Sequence, residues 1–406
     1  MTTLLSVGIL FTFTAIALIL YRWGNIRCIG TNPLPTFTFV AILFTSGLDV
    51  GLIMFPLTEF SGYEDLIANP EYKFSNPLAL EFGFWGFLIW GFYFFTCFYF
   101  CVIEPHVGFF KIPLVKLINN IVIIGTCAFT AFLLLTNLPW YIPSIGDGES
   151  VVTSFYLIVL VVICAAIYSS TSLRYVKILS VSTSILFIFL IIAMGLSATY
   201  QTQTEASALA DTFYLISNYF KNLHHFVLPI NDSHEFYLFW WFSWSIMIGQ
   251  FTARFIGGLR TWQLLLAMLV FPSLAIATWF TVLYYYHLND ISTAGFFNWA
   301  MVIVGVTMVV NSLDSLIRLY TDNLNFSAKK VGSIPYFIGN LIILCSLTLL
   351  FKLDFLEIDW VGGLVIGLFF ACASYIAIFK RKAIINIEGS PTSNWSNFRK
   401  LHYADN

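Results

Sequence analysis

The chain has 406 residues, of which 59% are hydrophobic, 18% aromatic and only 10% charged, against about 25% charged in an ordinary soluble domain. That balance excludes a water-soluble fold, and a net charge of −2 with a pI near 6.3 excludes the basic field that a nucleic-acid partner requires. The seven cysteines show no CxxC or zinc-site spacing and the six histidines no HExxH motif, so neither a metalloenzyme nor a cofactor is expected.

Apolar runs fall at 3–21, 37–57, 80–103, 116–137, 151–172, 176–198, 236–257, 264–285, 294–320, 333–352 and 359–380, each close to the length that crosses about 30 Å of hydrocarbon as helix. Eleven spans predict an all-α polytopic membrane protein. Run 3–21 is too long for a signal-peptide core and is followed by Arg22 and Arg27 rather than a cleavage site. Placing the amino terminus outside puts sixteen of the nineteen Lys and Arg residues in cytoplasmic segments, leaving only Lys73, Lys221 and Lys352 outside, which satisfies the positive-inside rule. Residues 206–227 space Leu209, Phe213, Ile216, Phe220 and Leu223 by threes and fours, the pattern of an amphipathic helix on the outer surface.

Function is sought where the apolar pattern is interrupted, because lipid tolerates broken backbone and charge only where protein or a cavity covers them. The second span reads Thr45-Ser46-Gly47-Leu48-Asp49-Val50-Gly51 and continues to Pro56; two glycines around an acid predict an unwound segment with free carbonyls and one carboxylate. The third span carries Trp85, Trp90 and Tyr93 within an arc of about 140° of one helix, and the seventh carries Trp240, Trp241 and Trp244 within about 100°. Trp140, Trp262 and Trp360 sit where membrane interfaces collect indoles, whereas Trp90, Trp241 and Trp244 lie deeper. Facing indoles form a cage that attracts a quaternary ammonium by about 2 kcal/mol or more per desolvated contact. Two polar patches complete the set, Thr126 with Thr130 on the fourth span and Asn311, Ser312, Asp314 and Ser315 on the ninth. Hydroxyls of this kind bind Na⁺ beside unwound carbonyls or simply bond the preceding turn. A membrane transferase would need a paired acid and base, and Asp49 and Asp314, the acids read as lying outside the loops, offer no such pair.

The stretch Phe239-Trp240-Trp241-Phe242-Ser243-Trp244-Ser245, continuing through Gly249 and Phe251 to Ala253-Arg254, resembles the signature of the betaine/choline/carnitine transporter family. Pro272 with Trp279-Phe280, Ser312-Leu313-Asp314-Ser315 and the spacing of Trp85, Trp90 and Tyr93 follow the same family collinearly from residue 5 to about residue 380. The resemblance implies a sodium-symporter-like core of two inverted five-helix repeats, 37–198 and 236–380, with spans two and seven broken. It leaves 1–36 as an extra transmembrane helix and cytoplasmic loop, 199–235 as the outer amphipathic helix and loop, and 381–406 as a short cytoplasmic tail. The family has twelve spans, so the chain is expected to lack its opening helix.

By the same resemblance, Trp85, Trp90, Tyr93, Trp240, Trp241 and Trp244 form the substrate box, with Asp49 and Met54 beside it on the second span. Carbonyls near Thr45 and Leu48 with the side chains of Asn311 and Ser312 would hold one Na⁺, and Thr126 with Thr130 a second. Asn311 stands where sodium-coupled members carry a hydroxyl, and Asp49 replaces the middle glycine of the unwound motif. A carboxylate there repels betaine or carnitine and favours choline; protonated in the cycle, it would instead make H⁺ the coupling ion. The expected activity is secondary active transport of a small quaternary ammonium compound by alternating access in a bacterial inner membrane, with the carboxyl terminus cytoplasmic and homotrimers as in the family. A non-transporting membrane sensor and a proton-coupled amine or polyamine carrier are the alternatives.

Overall fold

The computed structural model describes residues 2–48 and 51–387; Asp49 lies outside these residues. All eleven apolar runs are helical. Helix α1 covers Thr2–Trp23, and the second run is split into α2 (Thr36–Ser46) and α3 (Gly51–Glu64), bent by 54°. The third is divided into α4 (Pro77–Trp85) and α5 (Leu88–Phe98), which widens into a π turn at Tyr99–Ile103. Helices α6 (Pro113–Tyr141), α7 (Thr153–Ser170) and α8 (Leu173–Thr202) follow. The amphipathic stretch is not one helix but α9 (Ala206–Tyr214), α10 (Ser217–Lys221) and a 3₁₀ turn at Leu223–Phe226. Then come α11 (Asp232–Thr252), α12 (Thr261–Leu288), α13 (Phe296–Asn323), α14 (Ser333–Lys352) and α15 (Ile358–Tyr375).

Among the described residues, nine helices are long and apolar enough to cross a membrane, and α2 with α3 makes a tenth when the bent pair is taken as one span. The eleventh run is α11. Its Trp, Ser, Tyr and His content lowers its hydropathy, and nearly every residue from Tyr237 to Phe251 is buried, so it needs no lipid-facing surface. Helix starts follow local chemistry: the Asn76 side chain accepts the Ala79 N–H ahead of Pro77, and the Asn231 side chain accepts that of His234, supplying partners that the first helical turn lacks.

Packing pairs the elements in a repeated way. Helix α11 lies against α5 and α15, while α2 and α3 lie against α12, and α2 against α8; α13 packs on α7 and α8, while α6 packs on α14 and α15. Helices α6 and α13 meet each other at the centre. One face of the bundle gathers Thr2, whose hydroxyl bonds Glu235, with Glu71 bonded to Asn231 and Glu64 paired to His287. The opposite face gathers basic residues: Arg27 and Arg260 on the antiparallel strands β1 (Arg27–Ile29) and β2 (Gly257–Arg260), Arg254 paired to Asp322, and Arg318 donating to the Ser170 carbonyl. Trp140, Trp262 and Trp360 are exposed around the bundle, as interfacial indoles should be.

Candidate functional site

The break between α2 and α3 frees backbone carbonyls in the middle of the bundle, where an unpaired one costs several kcal/mol. Side chains from three other helices answer them. The Ser312 hydroxyl on α13 lies 3.2 Å from the Thr45 carbonyl and 2.5 Å from that of Leu48, and Tyr93 on α5 donates to the Gly47 carbonyl at 3.2 Å. Pro56 has no N–H for the carbonyl four residues earlier; that carbonyl, Leu52, accepts the Trp279 indole N–H from α12 at 3.0 Å. Ser312 has one proton for two carbonyls, so Thr45 O, Leu48 O and Ser312 Oγ leave a cluster of oxygen lone pairs in a buried place. Ser46 and Ser315 bond each other at 2.7 Å, Ser315 bonds Asp314, and Asp314 accepts Ser169 from α7.

The other expected ion residues face elsewhere. Asn311 is one position, or about 100° of helical turn, from Ser312; its side chain bonds Ser180 and Thr183 on α8 and the Thr307 carbonyl. Thr126 and Thr130 give their protons to Val122 O and Thr126 O of the preceding turn.

All six box aromatics are at most 1% exposed, yet they form two groups. Trp85 meets Trp240 and Trp241 edge-on at 5.7 and 5.2 Å, and those two indoles stack on each other. Trp90 meets Tyr93 edge-on at 5.2 Å. Trp244 makes no ring contact among the described residues, and its indole N–H, like those of Trp90 and Trp240, has no partner. Met54 is buried on α3, one turn beyond Gly51. The glycines of the break admit the rings: a Cβ on Gly47 would sit 3.1 Å from Tyr93 and 3.4 Å from Trp90, and one on Gly51 only 2.8 Å from Trp85. The aromatic wall therefore touches the broken segment on both sides.

Two helix expectations need correction. Trp85 does not share a helix face with Trp90 and Tyr93, because the chain breaks between them: Gly86 is extended and Phe87 has φ of 30°. That left-handed backbone is costly for Phe; it is held by the Phe87 N–H donating to Ser273 Oγ at 2.9 Å and by ring contacts to Tyr219 and Phe220. The freed Phe84 carbonyl accepts the Trp241 indole at 2.8 Å. The seventh run, conversely, is continuous through α11, and its helical winding ends only in the 3₁₀ turn Ala253–Phe255, since no glycine or proline interrupts it before Gly249.

Sequence reasoning also missed an acid pair. Glu81, inside the third run, is fully buried, and Tyr63 bridges it to the half-buried Glu59 of α3. An acid at position 81 of an apolar run was the available signal. In the loops of this face, hydrogen bonds hold two carboxyls below their ordinary range. Asn231 does so for Glu71, and the backbone N–H groups of Ser150 and Glu149 draw Asp147 down to about 2.

No family model matches the chain. It is 28% identical over 305 residues, 64% of its length and 44% of the other's, to an uncharacterized transporter of Haemophilus influenzae. It is 24% identical over 326 residues, 68% of its length and 59% of the other's, to glycine betaine transporter 1 of Vibrio parahaemolyticus. A glycine betaine/proline/choline transporter of the same species is 20% identical over 335 residues, with the same shares covered. These relatives are transporters by name. The chain spans about half the length of the curated relatives it matches.

Proposed function

We propose that this chain forms the translocation core of a secondary active carrier for a quaternary ammonium compound, choline-like first and betaine or carnitine second, of the betaine/choline/carnitine type. The observation that carries the reading is the contact of the broken α2–α3 segment with Trp85, Trp90 and Tyr93, which sets unwound carbonyls against aromatic rings at the centre of the bundle. Discontinuous helices at this depth bind ions and substrates in transporters. The rings attract a cation that has no hydrogen-bond donor, and the carbonyls of Thr45 and Leu48 with Ser312 Oγ suit a Na⁺ ion. The names of the Vibrio relatives support betaine and choline as substrates, and Asp49 favours choline over the zwitterions by charge.

The paired packing supports two five-helix halves. In it, α11–α5 answers α12 with α2 and α3, α11–α15 answers α2–α8, and α13–α7 answers α6–α14. The face rich in arginine is the cytoplasmic one by the positive-inside rule, which places Thr2 and loop 65–76 outside. Rocking of one half against the other would open the box to each side in turn.

The deciding experiment is tryptophan-fluorescence titration of the purified protein with choline, followed by uptake in proteoliposomes of choline, betaine, carnitine and a polyamine under a Na⁺ gradient, a pH gradient or neither. Trp244→Ala should abolish choline binding while the protein still elutes as a folded species; unchanged affinity removes Trp244 from the site. Asp49→Gly should shift preference from choline toward betaine, and an unmoved selectivity refutes the charge argument.

A further inference from the structure

At the face that holds Thr2, a carboxyl pair, Glu81 buried and Glu59 half-buried, adjoins the aromatic wall. The Tyr63 hydroxyl lies 2.8 Å from Glu59 Oε2 and 2.7 Å from Glu81 Oε2, and Tyr237 on α11 donates to Glu59 Oε1 at 2.6 Å. A tyrosine hydroxyl has one proton. It can donate to one of these carboxyls only, so the second close oxygen–oxygen approach requires a proton on that carboxyl, pointing back at the tyrosine oxygen. Glu81 is 0% exposed, and its Oε1 completes no hydrogen bond. Setting a second carboxylate beside the buried Glu81 with no cation between them is unfavourable.

Among the described residues, no cationic side chain is paired with Glu59 or Glu81. The groups facing the pair are Tyr63 from α3, Glu71 and Tyr72 from the turn at Pro70–Phe74, and His234 and Tyr237 from α11. His234 is separated from it by the Phe84 ring, on which it stacks at 4.6 Å. From α12, His287 is turned to Glu64, and Tyr284 stacks on that imidazole. Among the described residues, the ion pairs are Arg254–Asp322 and His287–Glu64, and neither involves Glu59 or Glu81.

The pair is joined to the box by two routes. Tyr237 meets Trp85 edge-on at 5.5 Å and stacks on Trp240 at 5.9 Å. The Trp85 indole N–H lies beside the Glu81 carboxyl, and neither it nor Glu81 Oε1 completes a hydrogen bond. An ionised Glu81 would draw that N–H into a charge-assisted bond and turn the ring.

We propose that Glu59 and Glu81 form a proton-binding site that holds one proton between the two carboxyls and releases it to the water of this face when a cation occupies the aromatic box. The second half of the proposal rests on the transport reading above; the first does not. A cation in the box favours the charged carboxylate, so binding breaks the carboxyl O–H bond and the proton leaves to bulk water, with no other reactant involved.

Infrared spectroscopy of the purified protein at pH 7 tests the site without any ligand, through the C=O stretch of protonated carboxylic acid. Glu81→Gln, Glu59→Gln and the double variant should each lose the same band area, equivalent to one carboxyl. Glu59 is half-buried, so Glu59→Gln decides the matter if Glu81→Gln does not fold. No loss in a folded variant, a double loss in the double variant, or a band that Na⁺ rather than pH removes overturns the proton site. Choline added to weakly buffered wild-type protein with a pH-indicator dye should release about one proton per choline bound, and none in the Gln variants; for one coupled proton, uptake should change about tenfold per unit of pH gradient. Choline that binds without proton release overturns the coupling. Choline that fails to bind overturns the transport reading, and the infrared result then still decides the proton site.

Discussion

Trp279 and Pro56 test the logic of the broken helix most directly. Replacing Trp279 by Phe keeps an aromatic ring against Phe187, which it now meets at 5.7 Å, but removes the N–H that the Leu52 carbonyl accepts at 3.0 Å. A buried carbonyl left without a partner costs about 1–3 kcal/mol, and the smaller ring adds a packing loss of its own. Pro56→Ala separates the two, because it restores an N–H four residues after Leu52, in position to close the ordinary helical bond. In that background Trp279→Phe loses only the packing part. The double-mutant cycle should therefore give a coupling of about 1–3 kcal/mol, or roughly 5- to 150-fold in the unfolding equilibrium. It is measured by denaturant unfolding in mixed micelles with helical content and tryptophan emission as joint probes. Equal losses in both backgrounds would show that Trp279 only fills space and that the carbonyl freed by Pro56 is satisfied some other way.

Gly47→Ala places a methyl 3.1 Å from Tyr93 and 2.8 Å from the Leu43 carbonyl, so it should weaken choline binding by about tenfold or more, a loss of about 1.4 kcal/mol. Gly62→Ala on α3 meets nothing within 4 Å and should leave affinity within about twofold, since surface changes of this kind fall within about 0.5 kcal/mol; equal effects of the two would remove the break from the binding site. Ser312→Ala deletes the donor to Thr45 O and Leu48 O and one ligand oxygen. If Na⁺ binds there, its half-saturating concentration for uptake should rise about tenfold or more, whereas Asn311→Ala, which faces α8, should act on stability instead. An unchanged Na⁺ dependence in Ser312→Ala would exclude that oxygen cluster as the ion site.

The membrane class, the helices and the location of the second-span break were readable from sequence, each for a local reason. Apolar runs in lipid must satisfy their backbone internally and so become helix. Gly47, Gly51 and Pro56 weaken that rule at one place whatever surrounds them. The kink at Phe87 was not readable, because its unfavourable backbone is held by Ser273 and by two rings of a segment more than a hundred residues away. Nor was the difference between Asn311 and Ser312: adjacent polar residues look interchangeable in sequence, and only the packing of α13 between α2 and α8 gives one to the break and the other to α8. Glu81 could be seen as an acid in an apolar run, but its partner Glu59 sits beyond the loop that joins α3 to α4. Composition determines that chain buried in lipid must pair its polar groups; the tertiary structure alone decides with which partner, because those partners arrive from helices that have no proximity along the chain.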